Sequence, residues 1–433
     1  MNHLITRLRT HLQTSPLSWV MGGITILWCL WAIWATRGIS ADPATSWMRI
    51  YSYRDIPDLT SLLYYIRDLR TGITPVYSVM EIVSWLWLED IGWITGPLFR
   101  LGMAIVLILP FAFTTGFPWW VRMIHLTLAT ICVQAFGLIY ALGNAQPYDV
   151  MTPLFLLGHM LLLRLASAHK QARVGAWFSI ISGILLSLSE LSRPFMLAIM
   201  PVLLGWALLQ YWRNNTLRRL GWFLLPVVLL SGGWHLKLLL YNDGQIIWSN
   251  HGGCNLLNAW APLVDIPSLE ATLEPEAPPL NNYGWAWQNL NTDVHSRNCK
   301  RCSQAVTAAI VAHPGRAAAH FFGKLLIFLN PRTQMYDNDP TGGWIIAYRW
   351  VVRGGYAAAL LLGGWLLIQM MGRRRSFDQV WMLLYILLGF LTLMPVIGES
   401  GEEARFMVSV VPVLLACCWR SLSLIFSPDH GYH

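Results

Sequence analysis

The chain has 433 residues, 55% of them hydrophobic and only 12% charged, about half the charged share of an ordinary soluble domain. That balance excludes a soluble globular enzyme. The excess of Lys and Arg over Asp and Glu, +8, fits cationic loops on one side of a membrane and does not call for nucleic acid as a partner. The 24 Trp, several beside the ends of apolar runs, suit an interfacial aromatic belt.

The first apolar run, "WVMGGITILWCLWAIWA", follows "MNHLITRLRTHLQTSPL". No small-residue cleavage site separates them, so the run reads as an anchor rather than a removed signal. Further runs of spanning length recur, which predicts about ten membrane helices. They cover 18–36, 96–115, 119–141, 150–167, 175–192, 195–211, 220–241, 351–371, 377–397 and 406–425. With both termini in the cytoplasm, Arg7, Arg9, Arg122, Lys170, Arg173, Arg213, Arg218, Arg219, the run at 373–375 and Arg420 fall inside. The short outer loops then keep only Arg193 and Arg405, as the positive-inside rule requires. The reading is an all-α polytopic protein of the inner (plasma) membrane, one integrated unit over 1–433.

Two long segments, 37–95 and 242–350, fall on the extracytoplasmic side. In the first, "DIPDLTSLLYYIRDLR" has apolar residues at Leu59, Leu62, Leu63 and Ile66, a helical spacing. "PVYSVMEIVSWLWL" opens on Pro75, a favoured first helical residue. Both are amphipathic and too short or too polar to span, which predicts helices lying on the membrane surface. In the second, "YNDGQIIWSNHGGCNLLNAWAP" is rich in Gly and Asn and reads as loop or short strands. The acidic, Pro-rich "SLEATLEPEAPPLNN" reads as irregular. "RCSQAVTAAIVAHPGRAAAHFFGKLLIFLNP" reads as helices returning to the membrane.

Of seven cysteines, Cys29, Cys132, Cys417 and Cys418 lie in spans and act as small apolar residues. On an oxidising face Cys254 could bridge to Cys299 or to Cys302, leaving one over. The lone "CKRC" is a weak redox or zinc motif, and no His or Cys spacing marks a metal site.

Ionisable residues are sparse inside the spans (Arg164, Glu190, Arg193, His159, His235, Lys237), and most lie near span ends. A pore or carrier would place such groups at mid-bilayer. The acids and bases concentrate in the outer segments instead, which puts the chemistry at the outer interface. "SADPATSW", "DIPDLTSLLYYIRDLRTGITPVYSVMEIVSWLWLEDIG", "PLFRLGM", "LSELSRPFMLAIM", "HGGCNLLNAWAP", "IVAHPGRAAAHFFGKLLIFLNP" and "GEEARFMVSVVPVL" occur in that order. This order resembles the GT-C superfamily of integral-membrane glycosyltransferases, nearest to protein O-mannosyltransferases and lipid A aminoarabinose transferases. Asp42-Pro43 stands where that branch has an acidic pair, "ITPVYSVM" where it has a His-Pro-Pro stretch, and Arg100 where an Arg opens the second span.

The resemblance implies a GT-C-like fold and inverting transfer of a sugar from a polyprenyl phosphate to an acceptor hydroxyl. A carboxylate takes the hydroxyl proton: Asp42 first, with Asp58 and then Asp55 behind it. Asp42 has helix capping as its structural alternative. Arg405, Lys324 and Arg193 are the expected grips on the leaving phosphate. The acceptor is a protein, lipid or glycan. No cofactor is required by the residues, and a divalent metal stays open. A flippase or transporter of lipid-linked saccharides, and a polymerase or ligase of surface polysaccharide, are the alternatives.

Overall fold

The protein is represented by a computed structural model that describes residues 16–35, 99–113, 118–141, 147–241, 252–274, 293–329, 343–372, 378–398 and 403–426. Among these every regular element is helical. In chain order they are α1 (Pro16–Ala35), α2 (Phe99–Ile108), α3 (Trp119–Ala141), α4 (Pro147–Ala168), α5 (Ala172–Ser192), α6 (Met200–Arg213), α7 (Arg218–Val227) and α8 (Gly233–Tyr241). Then follow α9 (Gly252–Trp260), α10 (Ile266–Glu270), α11 (Asp293–Ala312), α12 (Pro314–Phe328), α13 (Gly343–Met371), α14 (Gln379–Gly398) and α15 (Glu403–Phe426).

Eight helical stretches are long and apolar enough to cross a bilayer, from Trp119–Gly137 to Phe406–Phe426, and two shorter ones, Val20–Ala35 and Arg100–Ala112, are similarly apolar. This is an all-α polytopic membrane protein. The second expected span, 96–115, is interrupted: α2 tightens into a 3-10 turn at Leu109–Phe113, where Pro110 has no N–H to continue the α ladder. The last long segment ends earlier than expected, because α13 is helical from Gly343.

Side chains divide by what they face. Leu360, Leu361 and Ile368 on α13 and Ile26 and Leu27 on α1 are exposed, as lipid-facing positions are. α15 is the axis of the bundle. Met407, Val408, Val410, Val411, Val413 and Ala416 are all buried, and the helix packs on α4, α13 and α14. α5 packs closely on α4 and α7. Gly183 makes the second approach possible, since a Cβ there would lie 2.2 Å from the Phe223 carbonyl oxygen.

The segment after α8 contradicts the expectation of loop or strand. Gly252–Trp260 is a helix, α9, packed along α11. Its glycine is there for proximity rather than for a turn: a Cβ on Gly253 would meet the Cys299 carbonyl oxygen at 1.9 Å. Cys254, Leu257, Ala259 and Trp260 form a second small core with Leu269, Cys299, Cys302, Val306 and Ala317. Part of the Pro-rich stretch is also ordered. Asp265 caps α10 by accepting from the Ser268 N–H at 3.4 Å and its hydroxyl at 2.6 Å, and Pro267 occupies an early helical position. α11 and α12 agree with the helices expected there. The two surface helices expected in 37–95 lie outside the described residues.

Candidate functional site

Contacts between helices running in opposite directions define two ends of the bundle. At one end the Arg219 guanidinium donates to the Ala166 carbonyl and, at 2.8 Å, to the His169 carbonyl, closing the C-terminal turn of α4 with positive charge. Arg420 pairs with Asp378 at the same end. These two arginines belong to the loops that the charge bias placed in the cytoplasm.

The opposite end is where α4 starts, α5 stops and α15 starts, and it collects buried ionisable groups. α5 stops there because Pro194 forces the preceding residue out of the helical region, and Arg193 is extended at φ −143°, ψ 116°. The Arg193 guanidinium forms an ion pair with Asp149, the acid in the first turn of α4. The two side chains are 8% and 0% exposed. The guanidinium also sits 4.7 Å from the Phe406 ring centroid and 5.7 Å from that of Phe195. A buried pair of this kind is neutral overall, and its charge is compensated within the protein.

One turn earlier on α5, Glu190 is 2% exposed, and its Oε1 lies 2.7 Å from Nε2 of His235 on α8. Its other oxygen, Oε2, has no hydrogen-bond partner among the described residues. The His235 ring is 26% exposed, so it bridges the buried carboxylate to the surroundings. α8 is aimed by an unusual joint. α7 widens into a π turn at Val228–Gly232, just after Pro226, and α8 begins at Gly233. Single π turns of this kind recur at functional sites.

Lys324 approaches this end from the helices between α8 and α13. It is buried on α12, with Nζ 5.9 Å from the Trp260 ring centroid. Trp260 donates through Nε1 to the Ile397 carbonyl at 2.7 Å, near the end of α14. His320, one turn before Lys324, bonds the Ala259 carbonyl at 2.8 Å. α12 packs on both α14 and α15. Arg405 stands in the first turn of α15, one residue before Phe406. The carboxylates Asp42, Asp55 and Asp58 lie outside the described residues. Thus Arg193 meets the helix that Arg405 opens, and Lys324 is carried to that same helix pair by α12.

Asp149, Phe406, Trp260 and His320 were not singled out in the sequence. Asp149 left one signal, an acid in the first turn of an otherwise apolar span, where the positive end of the helix dipole favours it. The aromatic partners left none, because one Trp among 24 looks like any other.

Two of these helices, α9 and α11, are tied together covalently. Cys254 bridges Cys299 with their Cα atoms 4.9 Å apart. Cys302 is a free, buried thiol that burial pushes up to about 11. At the surface Glu274 accepts from Arg297 at 2.8 and 2.9 Å. That hydrogen bonding, with the charges of Arg297 and Arg301, holds its carboxyl below the usual range. Among the described residues no group of three or more His, Cys, Asp or Glu side chains is placed to hold a metal ion. Compared with known proteins, the chain matches no family model, no curated protein and no solved structure.

Proposed function

We propose that the protein is an inverting, GT-C-like glycosyltransferase that moves a sugar from a polyprenyl-phosphate donor to an acceptor hydroxyl at the outer face of the inner membrane. One observation carries the reading. Asp149, Glu190, Arg193 and Lys324 are buried and, with the partly exposed His235, gather at one end of the bundle, both carboxylates among them paired with a cationic or titratable side chain. Charges buried in a membrane helix are costly and mark function by default, and a site at one face suits a substrate that is part lipid and part polar.

The chemistry divides into two demands. The hydroxyl must lose a proton, and a loop carboxylate meets that demand: Asp42, ahead of Asp58 and Asp55. The leaving phosphate must be stabilised where its charge develops, which a preorganised cation does best in a site with little water. Arg405 and Lys324 are the cations for it, with Arg193 beside them. The lipid tail lies between the spans.

The test is transfer in proteoliposomes supplied with radiolabelled polyprenyl-phosphate sugars. Wild type transfers, and Asp42→Asn loses about a hundred- to ten-thousand-fold, the usual worth of a general base. Undiminished transfer by that variant removes Asp42 from the role. No transfer by wild type from any such donor overturns the assignment of activity.

A further inference from the structure

The Glu190–His235 pair is not used in the chemistry set out above, yet its arrangement is that of an oriented acid–base group. The carboxylate is buried in the last turn of α5, where the helix dipole is negative and gives it no help. One of its oxygens holds His235 Nε2 at 2.7 Å, and the other has no partner among the described residues. The imidazole is half-buried, with the Glu190 contact on its Nε2 side. A carboxylate on one ring nitrogen fixes the tautomer and orientation and supports the imidazolium, which leaves the far nitrogen to exchange a proton with something outside.

Arg193 sharpens the assignment. Its backbone N–H donates to the Glu190 carbonyl at 3.2 Å, so the two pairs occupy consecutive turns of one helix end. Asp149 already balances the Arg193 charge. A phosphate arriving here would have to compete with that carboxylate for the guanidinium. His235, by contrast, is held by the Glu190 carboxylate and is partly exposed.

We propose that His235, held by Glu190, is the general acid for the leaving phosphate. This rests on the transfer reading above and names the group that completes it. As the bond between the anomeric carbon and the phosphate oxygen breaks, its electron pair stays on that oxygen. The proton on His235 Nδ1 moves to the phosphate, and the imidazole is left neutral with Nε2–H donating to Glu190. The hydroxyl proton has meanwhile passed to the loop carboxylate, which returns a proton to the imidazole through solvent. Each turnover therefore conserves protons, and no outside oxidant or reductant is needed.

The experiment compares wild type, His235→Ala and Glu190→Gln in the same proteoliposome assay, with and without added imidazole, and follows thermal unfolding of each purified variant. His235→Ala loses about a hundred- to ten-thousand-fold in transfer, is less stable but still folded at the assay temperature, and regains part of its rate with imidazole, which can enter the space left by the ring. Glu190→Gln loses rate, and imidazole does not restore it. A His235→Ala protein that transfers at the wild-type rate overturns the proposal. So does one that is folded, inactive and indifferent to imidazole. A wild type that transfers while both variants are unaffected leaves the glycosyltransferase reading standing and removes only the dyad. An inactive wild type removes both.

Discussion

Asp149→Asn is expected to be among the most damaging single substitutions in the bundle. The change is nearly isosteric, so it opens no cavity, and its effect is electrostatic. It takes the Asp149 charge away from the Arg193 guanidinium, 8% exposed, which keeps its two aromatic faces. Removing one partner of a buried ion pair typically costs about 3–5 kcal/mol. The Phe406 and Phe195 rings at 4.7 and 5.7 Å remain and recover about 1–2 kcal/mol of that as cation–π attraction. A loss of roughly 1–4 kcal/mol is left. The bond from the Ser409 hydroxyl to the Asp149 backbone carbonyl, 2.7 Å, survives the substitution and keeps the helices in register. The assay is reversible unfolding in mixed micelles, followed by tryptophan fluorescence, for wild type, Asp149→Asn, Arg193→Met and the double variant. The double variant should be much closer to wild type than either single one, because removing both charges removes the penalty. If Asp149→Asn costs less than about 1 kcal/mol, the pair behaves as a solvated surface contact and the reasoning about this end fails.

Two further outcomes follow from the helices between α8 and α13. Gly253→Ala should push α9 off α11, since the new Cβ would lie 1.9 Å from the Cys299 carbonyl oxygen. Thiol titration in denaturant then detects seven reactive cysteines instead of the five free in wild type, and a count still at five refutes the close-contact argument. The Glu274 carboxyl is held below its ordinary range in the folded protein, so its pairing with Arg297 and Arg301 stabilises fully above the unfolded value, about 4.3. That contribution is lost as pH falls through the folded value. Hydrogen-exchange protection across 293–301, taken relative to the intrinsic rate at each pH, should fall below about pH 4 in wild type and show no such step in Glu274→Gln, whereas identical pH profiles for the two proteins would show that the pair does not matter.

Span positions were legible because an apolar run of spanning length has only one way to satisfy its backbone in lipid. The charge bias was equally readable, and Arg219 and Arg420 carry it into specific contacts at one end. The helix α9 was not legible. Its glycines and asparagines have the composition of a loop, and only the distance from Gly253 to Cys299 explains why glycine belongs there. The choice between Cys299 and Cys302 as partner of Cys254 was beyond sequence for a related reason: the two lie one turn apart on α11 and both face the same small core. Arg193 was visible as a charge at a span junction, but its partner was not. Asp149 lies 44 positions away by residue number, and their meeting depends on how α4 and α5 pack.

The two buried pairs at this end differ in a way that assigns them different work. In Asp149–Arg193 both members are buried, and arginine does not deprotonate in proteins. Such a pair can hold a helix end in place, and it cannot pass a proton. In Glu190–His235 one member is buried and the other reaches the surroundings, and imidazole is the side chain best able to change charge near neutrality. The first pair fixes the junction where α5 breaks at Pro194, and through the backbone bond from Arg193 to Glu190 it also fixes where Glu190 points. An Arg193→Met, Asp149→Leu double variant should therefore stay folded, because it removes both buried charges together and keeps the backbone bond from residue 193 to the Glu190 carbonyl; a single cooperative unfolding transition in mixed micelles checks this, and loss of that transition refutes it.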